Sequence, residues 1–397
     1  MQGCCVALEL AARGRSVDLF DRAATPMTAS GRVNEGKLHL GYVYANDANL
    51  GTARVMARGA FQFGGFLRRH LGAAFPQSLA SKPFVYGVLG DSQLEPARIA
   101  AYLARVDEVV AEECRRADGD YLGLRSLPRS RPAPTDRDFD PTWVKAAFET
   151  PEVSVDTRRL ADAIAERVRA DPRILFHPAA DVTRVSRTAG GRFDLEQRDG
   201  QVHRGSREVV NASWASRLAI DATVGLTPPR PWSHRFKLGF IIRDCGPELD
   251  LASATFVQGP FGDVVNFGDG SLYLSWYPAC RLAFSDALEP PRSPEGYTPA
   301  AAELAGRRSL EALGRLMPKL ARLDLPPARL QPAGGWIFAW GDTDIDDRGS
   351  QLHRRDNVGV HSVQGYHSIN TGKYTLAPLL ALEVCQRICG RAPAGAS

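Results

Sequence analysis

The stretch Met1–Asp21, MQGCCVALELAARGRSVDLFD, constrains the fold more than any other. It reads as the end of a glycine-rich turn, a short helix, and a strand finishing on an acid. That is the second half of a dinucleotide-binding βαβ unit. A full fingerprint has a strand and then G-x-G-x-x-G opening the helix, and here only the last glycine, Gly3, is present. Ala7 and Ala11 keep one helix face small, Val6 and Leu10 are apolar, and Gly14 ends the helix. Val17, Leu19 and Phe20 suit a buried strand. Asp21 stands where an acid takes a ribose hydroxyl pair. An ordinary amphipathic helix before a strand is the other reading. On the first reading the missing strand is central to a doubly wound sheet, so the protein is expected to start upstream of Met1.

Later segments decide between the two. Thr52–Leu71 and Glu95–Arg116 carry apolar residues at helical spacing, among them Val55, Phe63 and Leu67, then Ile99, Leu103 and Val106. Lys82–Leu89 is strand-like. Residues 125–141 are rich in proline and charge and read as a solvated excursion. Asp156-Thr157 caps a helix with Leu160, Ile164 and Val168 on its apolar face. Strands at 174–176 and 182–185 follow, then a hairpin about Asp199-Gly200, then a buried strand over Val209–Ala212. From Pro228 to about Pro332 the pattern becomes antiparallel β with one helix, 299–320. A strand at 357–363, a glycine-bounded loop over 365–373 and a closing helix complete the chain. The fold class is therefore α/β. A discontinuous nucleotide-binding domain (1–80, 151–227, 333–397) joins an antiparallel sheet-plus-helix substrate domain (81–150, 228–332).

Composition removes several alternatives. Net charge is only +4, and no basic run is interleaved with aromatics, which argues against a nucleic-acid partner. No apolar run reaches the roughly 18 residues of a membrane span. Seven scattered cysteines without a C-x-x-C pair favour reduced thiols in a cytoplasmic protein. Cys385 and Cys389, one helical turn apart, read as helix packing. Asp342, Asp344, Asp346 and Asp347 lack the spaced Gly and closing Glu of a calcium loop and read as solvated; no metal site is expected.

In this order, the half-fingerprint, the Val182/Val185 strand, the Val209–Ala212 strand and the Gly365–Leu380 ending resemble the FAD-dependent oxidoreductases related to D-amino-acid oxidase, glycine oxidase and sarcosine oxidase. The resemblance implies FAD as cofactor and a Rossmann-like FAD domain lacking its first strand. It also implies hydride transfer from an amine-bearing carbon of a small molecule, with O₂ or another acceptor reoxidising the flavin. Gly3 matches the third fingerprint glycine and Asp21 the ribose acid. Ser30, Gly31, Gly36 and Lys37 match the loop beside pyrophosphate and flavin, and Val182 or Val185 the adenine contact. Asn211 and Ala212 match the family's Asn-Ala-Ala-Gly strand end, although Trp214 stands where a small residue is common. Gly365, Gly372, Lys373 and Tyr374 match the loop that aims a helix N-terminus at the flavin's N1–C2=O edge.

One departure concerns the substrate. Relatives carry a carboxylate-binding Arg near the last β-strands, where this chain reads Gly334-Gly335-Trp336-Ile337-Phe338-Ala339-Trp340. The expectation is a flatter, aromatic pocket and no bidentate grip at that point. No cysteine stands at the covalent attachment point, so FAD is expected to be non-covalent, with His39 a conceivable covalent partner. Tyr366, His367 and His39 are the candidate catalytic residues. His367 reads equally as a hydrogen-bonded structural histidine. Oxidation of a hydroxy acid or sugar-type alcohol, which needs a base such as His, is the second reading; a truncated non-catalytic chain is the third.

Overall fold

The computed structural model describes residues 1–72, 79–116, 119–246, 249–259, 261–323 and 325–390. Helix Gln2–Ala12 leads into strand Val17–Phe20, as the opening stretch requires. That strand pairs in parallel with Ile174–His177. A second parallel pair, Val209–Asn211 with Tyr366–Asn370, carries Gly359–Val363 antiparallel on its outer side. Among the described residues no ladder joins these two sheets. The helix start lies between them: a Cβ on Gly3 would stand 3.4 Å from Leu19 and 3.8 Å from Ala212. The hairpin about Gly200 belongs to a three-stranded meander, Val182–Arg187, Phe193–Gln197 and Val202–Ser206.

The nucleotide half is closed by its two ends. Gln2 Nε2 donates to Ala377 O (3.0 Å), Thr371 Oγ1 donates to Gln2 Oε1 (2.9 Å), and Cys385 packs on Val6 O. All seven cysteines are free. Glu9 on the same helix, 2% exposed, accepts from Arg13, Arg69 and His70. Burial acts to raise its pKa, but these three donors outweigh it and hold the carboxyl at about 2. A depressed carboxyl contributes stability above its unfolded value, and that contribution is lost as pH falls towards the folded one. Glu9→Gln should therefore lower the urea midpoint at pH 7, and its gap to the parent should close between pH 4.5 and about 2. A gap constant over that range would show that the charge contributes nothing.

The other half is a nine-stranded sheet with Trp232–Ile242 near one end and the pair Phe84–Leu89 and Val144–Glu149 near the other. One face packs on helix Pro299–Leu316 through Phe236, Leu238, Phe240 and Leu313. The opposite face, carrying Arg235, Lys237, Asp263 and Tyr273, turns towards the nucleotide half. Between the two halves lies the candidate site.

Three expectations change. Residues 366–370 are a fully buried strand, not a loop, because Tyr366, His367, Ser368 and Asn370 all find polar partners inside. Gln331–Trp340 is a strand of the large sheet, paired along Trp232–Ile241. The expected boundary at 332/333 thus falls within it. Gly334 is there for close approach rather than a turn: a Cβ would sit 2.5 Å from the Leu238 side chain. Asp344 is half-buried and not simply solvated; it accepts from Tyr277 Oη (2.6 Å) and Arg281 Nε (2.7 Å). The expected closing segment includes 391–397, outside the described residues. Among the described residues no helix is long and apolar enough to cross a membrane, and no cluster of His, Cys, Asp and Glu is placed to hold a metal.

Candidate active site

Residues 34–39 are strapped in place by backbone. Asn34 bridges Ser30 O and Gly36 N, each at 2.7 Å. Gly36 adopts φ +68°, open to glycine and unfavourable to other residues. It lies so close to its neighbour that a Cβ would be 2.0 Å from Val155 O. Val155 N donates back to Gly36 O (2.9 Å), and Leu38 N to Val153 O (3.0 Å). The segment it rests on leads into the helix Thr157–Ala170, whose Asp156 side chain caps Arg158 N and Arg159 N. Lys37 and His39 are thereby buried. Thr375 Oγ1 then joins this run to the closing segment, accepting from His39 N (2.9 Å) and donating to Lys37 O (3.1 Å). Two stretches 336 to 338 residues apart, both singled out in the sequence, so form one wall.

The wall is charged. Lys37 Nζ pairs with Asp263 (2.7 Å), donates to Thr255 Oγ1, and lies 4.0 Å above the Phe84 ring. Burial would raise the Asp263 carboxyl, but Lys37 and Lys237 keep it well below the usual range. Glu35 is likewise kept low against its burial by Lys237 and Lys373. Lys373 is pushed down to about 8, chiefly by desolvation. His39 Nδ1 lies 3.5 Å from Glu152 Oε1, and burial followed by Lys373 lowers its pKa, so the ring is neutral at pH 7. Glu152, fully buried, also accepts from Tyr86 Oη (2.5 Å) and Leu40 N (2.6 Å).

Of the other sequence-predicted residues, Gly31 lies over the helix start, where its Cβ would be 3.1 Å from Met1 N, and Ser30 Oγ lies against the large sheet, 2.7 Å from a Cβ built on Gly335. Asp21 accepts from Ala23 N (2.9 Å). Ala212 stands near Gly3. Gly372 has φ +65° and packs against Val358. The structure does not bring the remaining candidates to this wall. Tyr366 Oη and Asn211 Nδ2 are engaged with Asp221, whose carboxylate also takes Ser368 and Arg217. His367 is held between Ser362 (2.7 Å) and Glu208 (2.9 Å) with no solvent exposure. Gly365 and Gln364, both at positive φ, form the two-residue hairpin turn at the far end of the strand from Gly372. Val185 N and O are both bonded to Thr223 Oγ1, and Val182 N donates to Ala180 O. Trp214 takes φ +58° and donates Nε1 to Trp336 O (2.7 Å), so its bulk is turned onto the large sheet.

Glu35, Glu152, Lys237, Asp263, Arg235 and Arg355 belong to the site and escaped the sequence reading. One signal was available: in Arg235-Phe236-Lys237-Leu238 two cations alternate with core apolar residues, placing both on one strand face.

Polar groups at the start of the closing helix fit a ligand. The Tyr374 hydroxyl and the Asn370 side-chain oxygen are buried without a hydrogen-bond partner among the described residues. Lys373 beside them makes no ion pair there. Such groups suit the heteroatom-rich edge of a flavin.

A split parallel sheet faces a large sheet that is antiparallel except where Ser253–Phe256 runs parallel to Phe84–Leu89, and a buried, charged wall lies at their junction, an architecture suited to a two-part nucleotide-dependent enzyme. The family model described as FAD dependent oxidoreductase (DAO) matches residues 1–387; the chain belongs to this family, and its cofactor is FAD. Glycine oxidase from Geobacillus kaustophilus superposes with TM-score 0.68 at 16% identity, covering 99% of this chain and 93% of that one. Iminodiacetate oxidase from Chelativorans sp. BNC1 gives 0.67 at 14%, covering 99% and 94%. L-alpha-glycerophosphate oxidase from Mycoplasma pneumoniae, with FAD bound, gives 0.63 at 11%, covering 100% and 94%. At these identities the likeness is one of fold. No curated protein matches the sequence.

Proposed function

We propose that this enzyme oxidises the C–N bond of a small amine or amino-acid-like substrate, with O₂ or another acceptor taking the electrons onward. The observation that carries this reading is the buried charged wall, where the cations Lys37, Lys237, Lys373, Arg235 and Arg355 outnumber the carboxylates Glu35, Glu152, Asp263 and Asp344 among them. Positive surroundings disfavour a protonated amine, so the substrate nitrogen is held as the free base, the form that releases hydride from its carbon. FAD, when bound, supplies the hydride acceptor. Gly3, Asp21, Ser30, Gly31 and Gly36 would hold the nucleotide and its phosphates. Lys373, Tyr374 and Gly372 would meet the negative charge that grows on the ring's far edge. Attachment is read as non-covalent, since Cys4, Cys5 and Cys385 are buried in the packing of the first and last helices. Glycine oxidase and iminodiacetate oxidase, both named for amine-bearing acids, support the reading.

His39 favours a second reading. Its Nδ1 points at Glu152, which leaves Nε2 as the basic atom, and a neutral base at this place serves an alcohol as well as an ammonium. Anaerobic addition of substrates separates the two. Amines should bleach the flavin's yellow colour while hydroxy acids do not. Bleaching by hydroxy compounds alone would establish the alcohol reading instead.

A further inference from the structure

We propose that residues 286–298 form a strap that closes the adenosine end of the FAD groove and sets how slowly the cofactor leaves. The inference rests on the nucleotide placement given above, in which Asp21 takes the ribose and Val182 meets the adenine. The segment joins strand Arg281–Ser285 to helix Pro299–Leu316, both parts of the large-sheet half. Pro290, Pro291 and Pro294 fix φ at three of its positions. Its backbone is pinned to the sheet: Trp336 Nε1 donates to Pro291 O (2.7 Å) and Trp232 Nε1 to Ala287 O (3.3 Å). The Tyr297 ring lies 5.5 Å from that of Phe236. Pro290 and Pro294 are buried, whereas most residues around them are exposed. A segment held in this way is ordered before any ligand arrives.

Two side chains, three positions apart, leave the strap for the nucleotide half. Glu289 Oε1 accepts from Ser216 Oγ (2.8 Å), shortly beyond the strand Val209–Asn211. Arg292 Nη2 donates to Oδ2 of Asp181 (2.5 Å), the residue before Val182. Arg198, from the hairpin of the meander, donates Nε to the same oxygen (2.6 Å) and lies 4.0 Å from Glu289. Beside Asp181, Ala180 N donates to Asp21 O (2.8 Å), so this anchor adjoins the ribose acid. The strap thus runs from the end of one nucleotide-half strand to the start of another, across the side where Asp21 and Val182 would hold the adenosine. The contacts border a solvent-open hollow of about 400 Å³ lined by Arg198, Glu289, Pro290, Pro291 and Arg292, and Arg292 itself is 65% exposed. Exposed ion pairs act through their network and are screened by salt. Parting this network frees the strap from the nucleotide half without unfolding either half.

The test follows FAD release from the holoenzyme by the rise in flavin fluorescence after dilution. Raising KCl from about 0.05 M to about 0.5 M should speed release about fivefold, because the network is screened. Arg292→Gln should release FAD about fivefold faster at the lower salt and respond little to added KCl. Arg307→Gln, an exposed charge on helix Pro299–Leu316, should behave as the parent. The flavin-free forms of parent and Arg292→Gln should share one thermal midpoint, since the strap is pinned to its own sheet without Arg292. ADP, which carries the adenosine end alone, should raise the midpoint of the flavin-free parent more than that of the variant. Equal release rates in parent and Arg292→Gln, or a salt response undiminished by the substitution, overturn the proposal. So does a lower midpoint of flavin-free Arg292→Gln, which would make the contact one of folding alone. If Asp21→Ala speeds release and Arg292→Gln does not, the strap falls and the nucleotide placement stands; if neither does, both fall.

Discussion

Gly36→Ala should unfold the flavin-side wall. The methyl group would have to pass within 2.0 Å of Val155 O at a φ of +68°, and a Cβ fixed on its backbone would meet a backbone carbonyl. Neither can rotate away as a side chain end does. Overpacking together with a left-handed alanine is expected to cost about 3 kcal/mol, read as a lower urea midpoint. The damage is directed. Gly36 O holds Val155 N, and the same strap positions Lys37 and His39. The variant should therefore lose most of its FAD on purification even at temperatures where it remains folded. Full flavin content with an unchanged midpoint would mean that this loop does not shape the site.

Glu152→Gln should have the larger effect on rate. The carboxylate accepts from Tyr86 and Leu40 N and lies against His39, so an amide with one acceptor atom leaves a donor short inside the protein. About 3 kcal/mol of stability is expected to go. The His39 pKa, already lowered by burial and by Lys373, loses the one neighbour that raises it. If His39 accepts a proton, the acid limb of the anaerobic flavin-reduction rate should move to lower pH. The plateau should also fall, by about a hundredfold, as the base weakens. His39→Asn should reproduce the loss, and the double variant should be no worse than either single one, since the pair acts as a unit. Additive losses, or a limb that stays in place, would reduce the pair to packing.

The parts of this molecule visible in its sequence are those whose signal is local. The Asp156 cap, the amphipathic helices about residues 60, 105 and 164, the Gly200 turn and the strand before Asp21 all lie where periodicity and turn chemistry place them. Gly334 serves packing, since a Cβ there would meet the Leu238 side chain, and no local pattern announces that role. Strand 366–370 was hidden because its polar side chains are satisfied by Ser362 across the hairpin and by Asp221 and Glu208, both remote in sequence. The site divides in the same way. Gly36, Lys37, His39 and Lys373 were legible as two short runs. Glu152, Asp263, Arg235 and Arg355 acquire meaning only when a sheet strand or a distant loop delivers them to those runs. No spacing rule announces a carboxylate 113 residues away, the separation between His39 and Glu152. Tyr366 and His367 show the converse, a conspicuous pair whose chemistry is spent on holding strands together.

The first and last helices share one seam, with Gln2 bonded to a residue 375 positions later. During synthesis the first helix leaves the ribosome long before its partner exists. Cys4, Cys5, Val6 and Leu8, all buried in the finished protein, face solvent or a chaperone until then. Closing a loop of that length costs about 5 kcal/mol of chain entropy, recovered only when the seam zips. The nucleotide half is thus completed only once the closing helix has been made, and the large sheet, whose strands all precede residue 341, can form ahead of it. Any cofactor that stabilises the junction would arrive last and act as the clasp.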